Sequence, residues 1–253
     1  MAAEPIIRVE NFSAGYDGTV ILSDLTFDVQ AGEVFVILGG SGCGKSTLLK
    51  HMIGLYPPQK GKILIEGRDI AVAEGRERLE ILKGIGVMYQ MGALFGSMTL
   101  LENVRLPLEE YTDLPDEAMD VIARMKLRLV GLQGFEQHRP SEISGGMKKR
   151  AAIARAMALD PRILFLDEPS AGLDPITSAE LDQLILRLAR SLGITFVVVT
   201  HELASIYAIA DRVIMLDKRA KKIVATGKPA ELRDGSDNPW VRQFFKREAA
   251  ETR

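Results

Sequence analysis

The chain has 253 residues, long for one domain but usual for an α/β domain that carries a helical insertion. Its 34 acidic and 32 basic residues nearly cancel, for a formal charge of −2, which argues against a nucleic-acid partner held by bulk positive charge. The one cysteine, Cys43, cannot form an internal disulfide, and no run approaches the ~18 apolar residues of a membrane span, so a cytoplasmic chain that reaches any membrane through a partner is expected.

The opening Met-Ala-Ala-Glu-Pro has neither the basic start nor the apolar core of a secretory signal. Residues 6–9 and 20–29 are rich in β-branched side chains and read as early strands. Residues 34–38 form a continuous apolar run ending in glycines, the pattern of a strand buried on both faces of a parallel sheet. A helix is predicted from Lys45 to about Leu55, stopped by Pro57 and Pro58, and further strands at 62–65 and 85–89. From about 96 to 159 strand signals vanish and helical periodicity dominates, with one helix starting at Leu114-Pro-Asp-Glu and another near Met147. Strands return at 163–166, 195–200, 212–216 and 222–226. The alternation implies a mostly parallel sheet covered by helices, with an antiparallel β portion and an inserted helical part. The expected division is a nucleotide-binding core over 1–95 and 160–227, a helical subdomain over 96–159, and a helical tail over 228–253.

Gly-Gly-Ser-Gly-Cys-Gly-Lys-Ser at 39–46 fits the phosphate-cradling P-loop pattern between a buried strand and a helix. Its glycines let backbone N–H groups turn around an anion, and the next helix adds its positive end. Lys45 is expected to reach the β- and γ-phosphates of ATP, and Ser46 to hold Mg²⁺. Cys43 reads as a small side chain where only the backbone matters; a redox switch is the rarer alternative. The apolar run Ile163-Leu-Phe-Leu ends in Asp167 and Glu168, which would deliver two carboxylates to the ligand-binding edge of the sheet. Asp167 is expected to orient the metal and Glu168 to polarise the attacking water. Phosphoryl transfer asks chiefly for such positioning and charge stabilisation. His201 follows another apolar strand to the same edge, where a hydrogen bond to the γ-phosphate is expected.

The segment Ile143-Ser-Gly-Gly-Met-Lys-Lys-Arg150 resembles the signature motif of ABC ATPases, usually Leu-Ser-Gly-Gly-Gln. Other elements follow in that family's order, and the resemblance runs over about residues 6–227, within one domain expected over about 6–245. Tyr16 matches the aromatic residue that stacks on adenine, Gln90 the glutamine of the Q-loop, Ala171-Gly-Leu-Asp174 the D-loop, and His201 the switch histidine. The resemblance implies a P-loop core with an inserted helical subdomain. It also implies ATP contacts from Tyr16, Gly39, Gly40, Ser41, Gly42, Cys43, Gly44, Lys45, Ser46, Thr47 and Gln90, and a metal held by Ser46, Gln90 and Asp167. Glu168, His201 and Lys45 then form the catalytic set. Ser144, Gly145, Gly146 and Asp174 are implied to reach ATP bound by a second copy, so that two chains close over two nucleotides. Met147 stands where the family has glutamine and cannot supply that side chain's hydrogen bonds.

Gln90-Met-Gly-Ala-Leu-Phe95, the Ser-Gly-Gly-Met signature, Asp174-Pro-Ile-Thr and the late Pro239-Trp-Val-Arg-Gln-Phe-Phe245 resemble the ATPases of Mla-type phospholipid transporters. That likeness implies an integral-membrane permease, an MCE-domain lipid-binding protein and a small accessory subunit as partners, on the inner face of the cytoplasmic membrane. An ABC ATPase serving another cargo, such as polar amino acids, is the near alternative. A soluble translation or chromosome protein is disfavoured by the single cassette and the lack of a long heptad run. Met91, Leu94, Phe95, Met98 and Leu100 would line a groove for a permease helix or pack under the helical insert. Trp240, Val241, Phe244 and Phe245 form an apolar stripe that would dock on the chain's own core or on a partner.

Overall fold

The computed structural model describes residues 4–16 and 18–247. Two sheets and their helices form two layers of core. The smaller sheet contains β1 (Ile7–Tyr16), β2 (Thr19–Val29), β4 (Lys60–Ile65) and β5 (Arg68–Asp69), in the order β2-β1-β4-β5 and antiparallel throughout. The larger contains β3 (Val34–Gly39), β6 (Ile85–Met88), β7 (Ile163–Asp167), β8 (Thr195–Val199), β9 (Arg212–Asp217) and β10 (Lys222–Gly227). Its order is β10-β9-β3-β8-β7-β6, parallel except for β10, which runs antiparallel on the edge. The strands expected at 6–9 and 62–65 are longer than the apolar runs that announced them. Pairing continues through irregular register beyond Val9 to Tyr16 in β1 and reaches Lys60 in β4.

The larger sheet is apolar on both faces because its side chains alternate between two cores. Val34, Val36, Leu38, Leu164, Leu166, Phe196, Val198, Val213 and Met215 enter one cluster. Phe35, Ile37, Ile163, Phe165, Val197, Val199, Ile214 and Leu216 enter the other. The second cluster is closed by the smaller sheet and by α1 (Lys45–Met52) and α2 (Gly75–Lys83), through Leu48, Leu49, Met52 and Ile81. The first is closed by α3 (Leu100–Tyr111), α4 (Asp116–Leu129), α5 (Gly145–Ala156), α6 (Pro175–Leu192) and α7 (Leu203–Ile209).

Between β6 and β7 the chain is helical, and α3, α4 and α5 pack on one another. Thr99 starts α3 with a reciprocal cap: its hydroxyl accepts from Glu102 N at 3.2 Å, and Glu102 Oε2 accepts from Thr99 N at 2.6 Å. Pro107 lies inside this helix and leaves the carbonyl one turn earlier without its usual donor. The helix expected at Met147 begins two residues earlier, at Gly145, because Ser144 accepts Met147 N at 3.2 Å and caps it. Glycine at 146 is required by close approach, since a Cβ there would lie 2.4 Å from Thr177 Cγ2 of α6. At the C-terminal side, α8 (Pro229–Gly235) and α9 (Pro239–Lys246) fold back on the first core. Val241 and Phe245 are buried there, Trp240 and Phe244 are partly covered, and Tyr207 donates to Phe245 O at 3.0 Å.

Candidate active site

Strands β3, β8, β7 and β6 are adjacent and parallel, so their carboxyl ends share one edge of the sheet. The expected site residues follow those ends. The loop after β3 carries residues 39–44 into α1, Asp167 ends β7, His201 follows β8 by two residues, and Gln90 follows β6 by two.

Gly39 has φ of 150°, and a Cβ there would lie 2.5 Å from Leu216 O and 2.6 Å from Cys43 Sγ. Only glycine fits that close passage. Lys45, the first residue of α1, donates from Nζ to Gly39 O at 2.9 Å and to Gly40 O at 3.3 Å, so its ammonium lies inside the loop. Ser41 and Ser46 are exposed, and Gly40, Gly44 and Thr47 are half-buried. Cys43 is buried, and burial pushes its thiol pKa upward against the opposing pull of Lys45. A buried thiol held protonated is a poor nucleophile, which favours the packing role over a redox one.

Asp167 is half-buried and its Oδ1 is buried with no hydrogen-bond partner. Burial raises its pKa and the neighbouring Glu168 adds to the rise, while Lys45, Lys50 and Lys149 pull it down. Glu168 has φ of 47°, a left-handed conformation fixed by its N–H donating to Val199 O at 2.8 Å. Such backbone is uncommon outside glycine and frequent at functional sites. Glu168 Oε1 pairs with His201 Nδ1 at 2.8 Å, and Oε2 is buried without a partner. A buried acceptor left unpaired costs about 1–3 kcal/mol. Two such oxygens beside a lysine-lined glycine loop suit a hard cation or an ordered water, so the residues present fit Mg²⁺ and a hydrolytic water. Tyr16, at the end of β1, is exposed and meets Tyr56 edge-to-face with centroids 6.0 Å apart.

Ser144, Gly145, Gly146 and Asp174 lie elsewhere on the chain. They start α5 and α6, which pack on each other, whereas α1 packs on β1, β3, β7 and β8. Asp174 caps α6 by accepting Ile176 N and Thr177 N, each at 3.0 Å, and its bond to the Thr177 hydroxyl holds its pKa down. Of the apolar residues after Gln90, Met91 and Phe95 are exposed, Leu94 packs partly on the core and Leu100 is fully buried. Leu94 and Leu100 thus take the packing alternative, Met98 is half-buried, and Met91 and Phe95 remain on the surface.

Sequence reasoning missed the residues that hold the Gln90 segment. Arg155 donates to Gly92 O at 3.0 Å and Ala93 O at 2.7 Å. The fully buried Asn103 accepts Phe95 N at 2.8 Å and donates to Phe95 O, Met98 O and Thr99 O. Lys149 donates to Gln90 O and to Glu168 O. A signal was present: Gly146, Lys149 and Ile153 share one helical face, and a lone cation on an otherwise apolar face asks for partners.

The ABC transporter family profile matches residues 22–171. The chain is 45% identical over 239 residues to the probable ribonucleotide transport ATP-binding protein mkl of Mycobacterium leprae, covering 94% of this chain and 68% of that one. It is 40% identical over 244 residues to the intermembrane phospholipid transport system ATP-binding protein MlaF of Haemophilus influenzae, covering 96% and 91%. Among solved structures, cbiO1 of Clostridium perfringens, part of the ABC transporter complex cbiONQ, superposes with a TM-score of 0.84 at 29% identity, over 93% of both chains. The ATP-binding cassette MJ0796, a dimer in a post-hydrolysis state with ADP and Pi, superposes with a TM-score of 0.78 at 30% identity, over 88% of this chain and 98% of that one.

Proposed function

The chain belongs to the ABC transporter family, and from that premise we propose that two copies close over two ATP molecules to drive a phospholipid transporter of the Mla type. It is an ABC ATPase, with the mixed α/β fold of the solved cassettes. The observation that carries the site assignment is the Glu168–His201 pair, 2.8 Å apart on the sheet edge that also bears the glycine loop.

In this reading Lys45 and the N–H groups of residues 39–47 grip the triphosphate, and Tyr16 faces the adenine. Ser46, Asp167 and Gln90 would hold Mg²⁺, which supplies charge neutralisation at the phosphates. Glu168 orients the attacking water with its unpaired oxygen, and His201 fixes the other oxygen while offering its second ring nitrogen to the γ-phosphate. Ser144, Gly145, Gly146 and Asp174 serve the nucleotide of the second copy, where the start of α5 is a second anion-binding helix end. Loss of the γ-phosphate removes that bridge and lets the pair open. The dimeric state of MJ0796 supports this arrangement.

No helix among the described residues is long and apolar enough to cross a membrane. The membrane step is therefore assigned to a permease, with an MCE-domain protein and a small accessory subunit completing the assembly on the inner face of the cytoplasmic membrane. Support for phospholipid as cargo is the identity with MlaF across nearly the whole of both chains. The ribonucleotide label on mkl favours a second reading with a different cargo. Purifying the native complex and identifying its proteins and bound small molecules by mass spectrometry separates them. A permease, an MCE-domain protein and co-purified phospholipid are expected; a nucleotide-binding partner and no lipid would replace the cargo assignment. For the site itself, Glu168→Gln should cut ATP turnover by ~10²–10⁴ and accumulate an ATP-bound pair on gel filtration. Near-normal turnover would remove Glu168 from its role.

A further inference from the structure

Lys149 is a buried cation at the edge of the site that the assigned chemistry leaves unused. It sits on the α5 face that packs into the protein, and its residue is only 8% exposed. Burial lowers its pKa, and the charges of Glu168 and Asp167 oppose that shift. Burying an ammonium is costly unless its donors are used, and here they are used in a specific way. Nζ bonds to the backbone carbonyl of Gln90 and lies 3.3 Å from that of Glu168. One side chain thus joins three separate segments: the helix capped by Ser144, the turn after β6 and the turn after β7.

Both carbonyls belong to turns whose conformation aims a site residue. At Glu168 the left-handed backbone is braced from one side by Val199 O, which accepts its N–H at 2.8 Å. Lys149 braces it from the other side through the carbonyl. At Gln90 the side chain is exposed while the carbonyl is tied down, so the peptide is anchored and the amide left free to engage a ligand. Arg155, six residues further along α5, holds the carbonyls of Gly92 and Ala93 in the same loop and makes no hydrogen bond to Glu168.

We propose that Lys149 is a positioning residue for hydrolysis, which locks the Glu168 and Gln90 turns to the helix that begins at Ser144. A movement of α5 when the second copy's nucleotide engages Ser144 is then transmitted through one ammonium to the group that orients the water. The proposal rests on the assignment of Glu168 above. It does not place Lys149 on the nucleotide, so ATP affinity should be spared while turnover falls. A misplacement on the order of 1 Å in a reacting group costs about 10²-fold in rate, which sets the scale.

The test uses the full-length chain with Lys149→Met, which keeps volume and apolar packing but removes the charge, together with Lys149→Arg and Glu168→Gln. Steady-state ATP hydrolysis, binding of a fluorescent ATP analogue and thermal melting are measured for each. The Met variant should lose about 10–10²-fold in kcat, with KM and analogue affinity within about twofold of the parent and Tm little changed. The Arg variant should recover part of the loss, since it restores donors to both carbonyls. Parent-like kcat in the Met variant, or a loss that the Arg variant fails to recover in a folded protein, would overturn the proposal. If the Met variant does not fold, the Arg variant decides: unaltered kcat sustains the need for a cation there, and loss of kcat and affinity in parallel refutes it. Glu168→Gln separates the two assignments. Retained turnover in that variant sinks the role of Glu168, whereas its loss beside an unaffected Met variant sinks that of Lys149 alone.

Discussion

Asp182 lies on α6, 4% exposed, facing Ser205 and Glu202 around α7. Burial pushes its pKa from 3.8 to about 6; the Ser205 hydroxyl pulls it back, and the charge of Glu202 pushes it further. At neutral pH the buried carboxylate is therefore ionised at a cost. A rise of that size corresponds to about 3 kcal/mol of folding stability. The sign follows from a folded pKa that lies above the unfolded one: the stabilising contribution of the proton is complete below pH 3.8 and is lost as pH rises through about 6. Asp182→Asn keeps the shape and cannot ionise. It should therefore be more stable than the parent at pH 8, by up to about 3 kcal/mol or roughly 6 °C in Tm for a chain of this length. By pH 5 the parent should regain about 1.4 kcal/mol of that gap. Urea or thermal melts of both proteins from pH 5 to pH 8 measure the difference, and any pH-independent effect of the substitution cancels. Parallel stability curves for the two proteins across that range would refute the reasoning.

Lys45→Ala removes the ammonium held by Gly39 O and Gly40 O; ATP affinity, followed by analogue fluorescence, should drop at least tenfold, and unchanged affinity would contradict the phosphate role. A mixture of Ser144→Arg and Lys45→Ala chains should regain at most one working site per pair, whereas activity equal to the parent would argue against sites shared between copies. Gly146→Ala drives a methyl to 2.4 Å from Thr177 Cγ2 and should cost about 1–3 kcal/mol of stability by melting; adding Thr177→Ser should restore most of it.

The larger sheet was legible because its strands are buried on both faces. Residues 34–38, 163–166 and 196–199 are apolar without a break, and both cores draw on them. The glycine loop and the Asp167–Glu168 pair announced themselves by spacing alone, since backbone anion binding leaves few residue choices. Elements held by polar contacts were harder to see. Strand β5 is two residues long, and α3 carries a proline in its interior while depending on the Thr99–Glu102 cap. The outer half of β1 pairs through irregular register, and a slip at Glu10–Asn11 interrupts its alternation of buried and exposed residues. Lys149 and Arg155 act on backbone carbonyls far away in sequence, so nothing near them names their partners. The pairing of Glu168 with His201 spans 33 positions and appears only once β7 and β8 are side by side.

The placement of Cys43 has a practical side. The chain has a single sulfhydryl, and it is packed against Gly39 within the glycine loop, 2% exposed and with its pKa raised. Its modification by maleimide or spin-label reagents should therefore be slow in the folded state. The labelling rate of the native protein then supplies the background against which an introduced cysteine is read. A reporter introduced at an exposed position such as Ile176, at the start of α6, gives one label per chain, and distances between labels can follow opening and closing of the pair through a catalytic cycle.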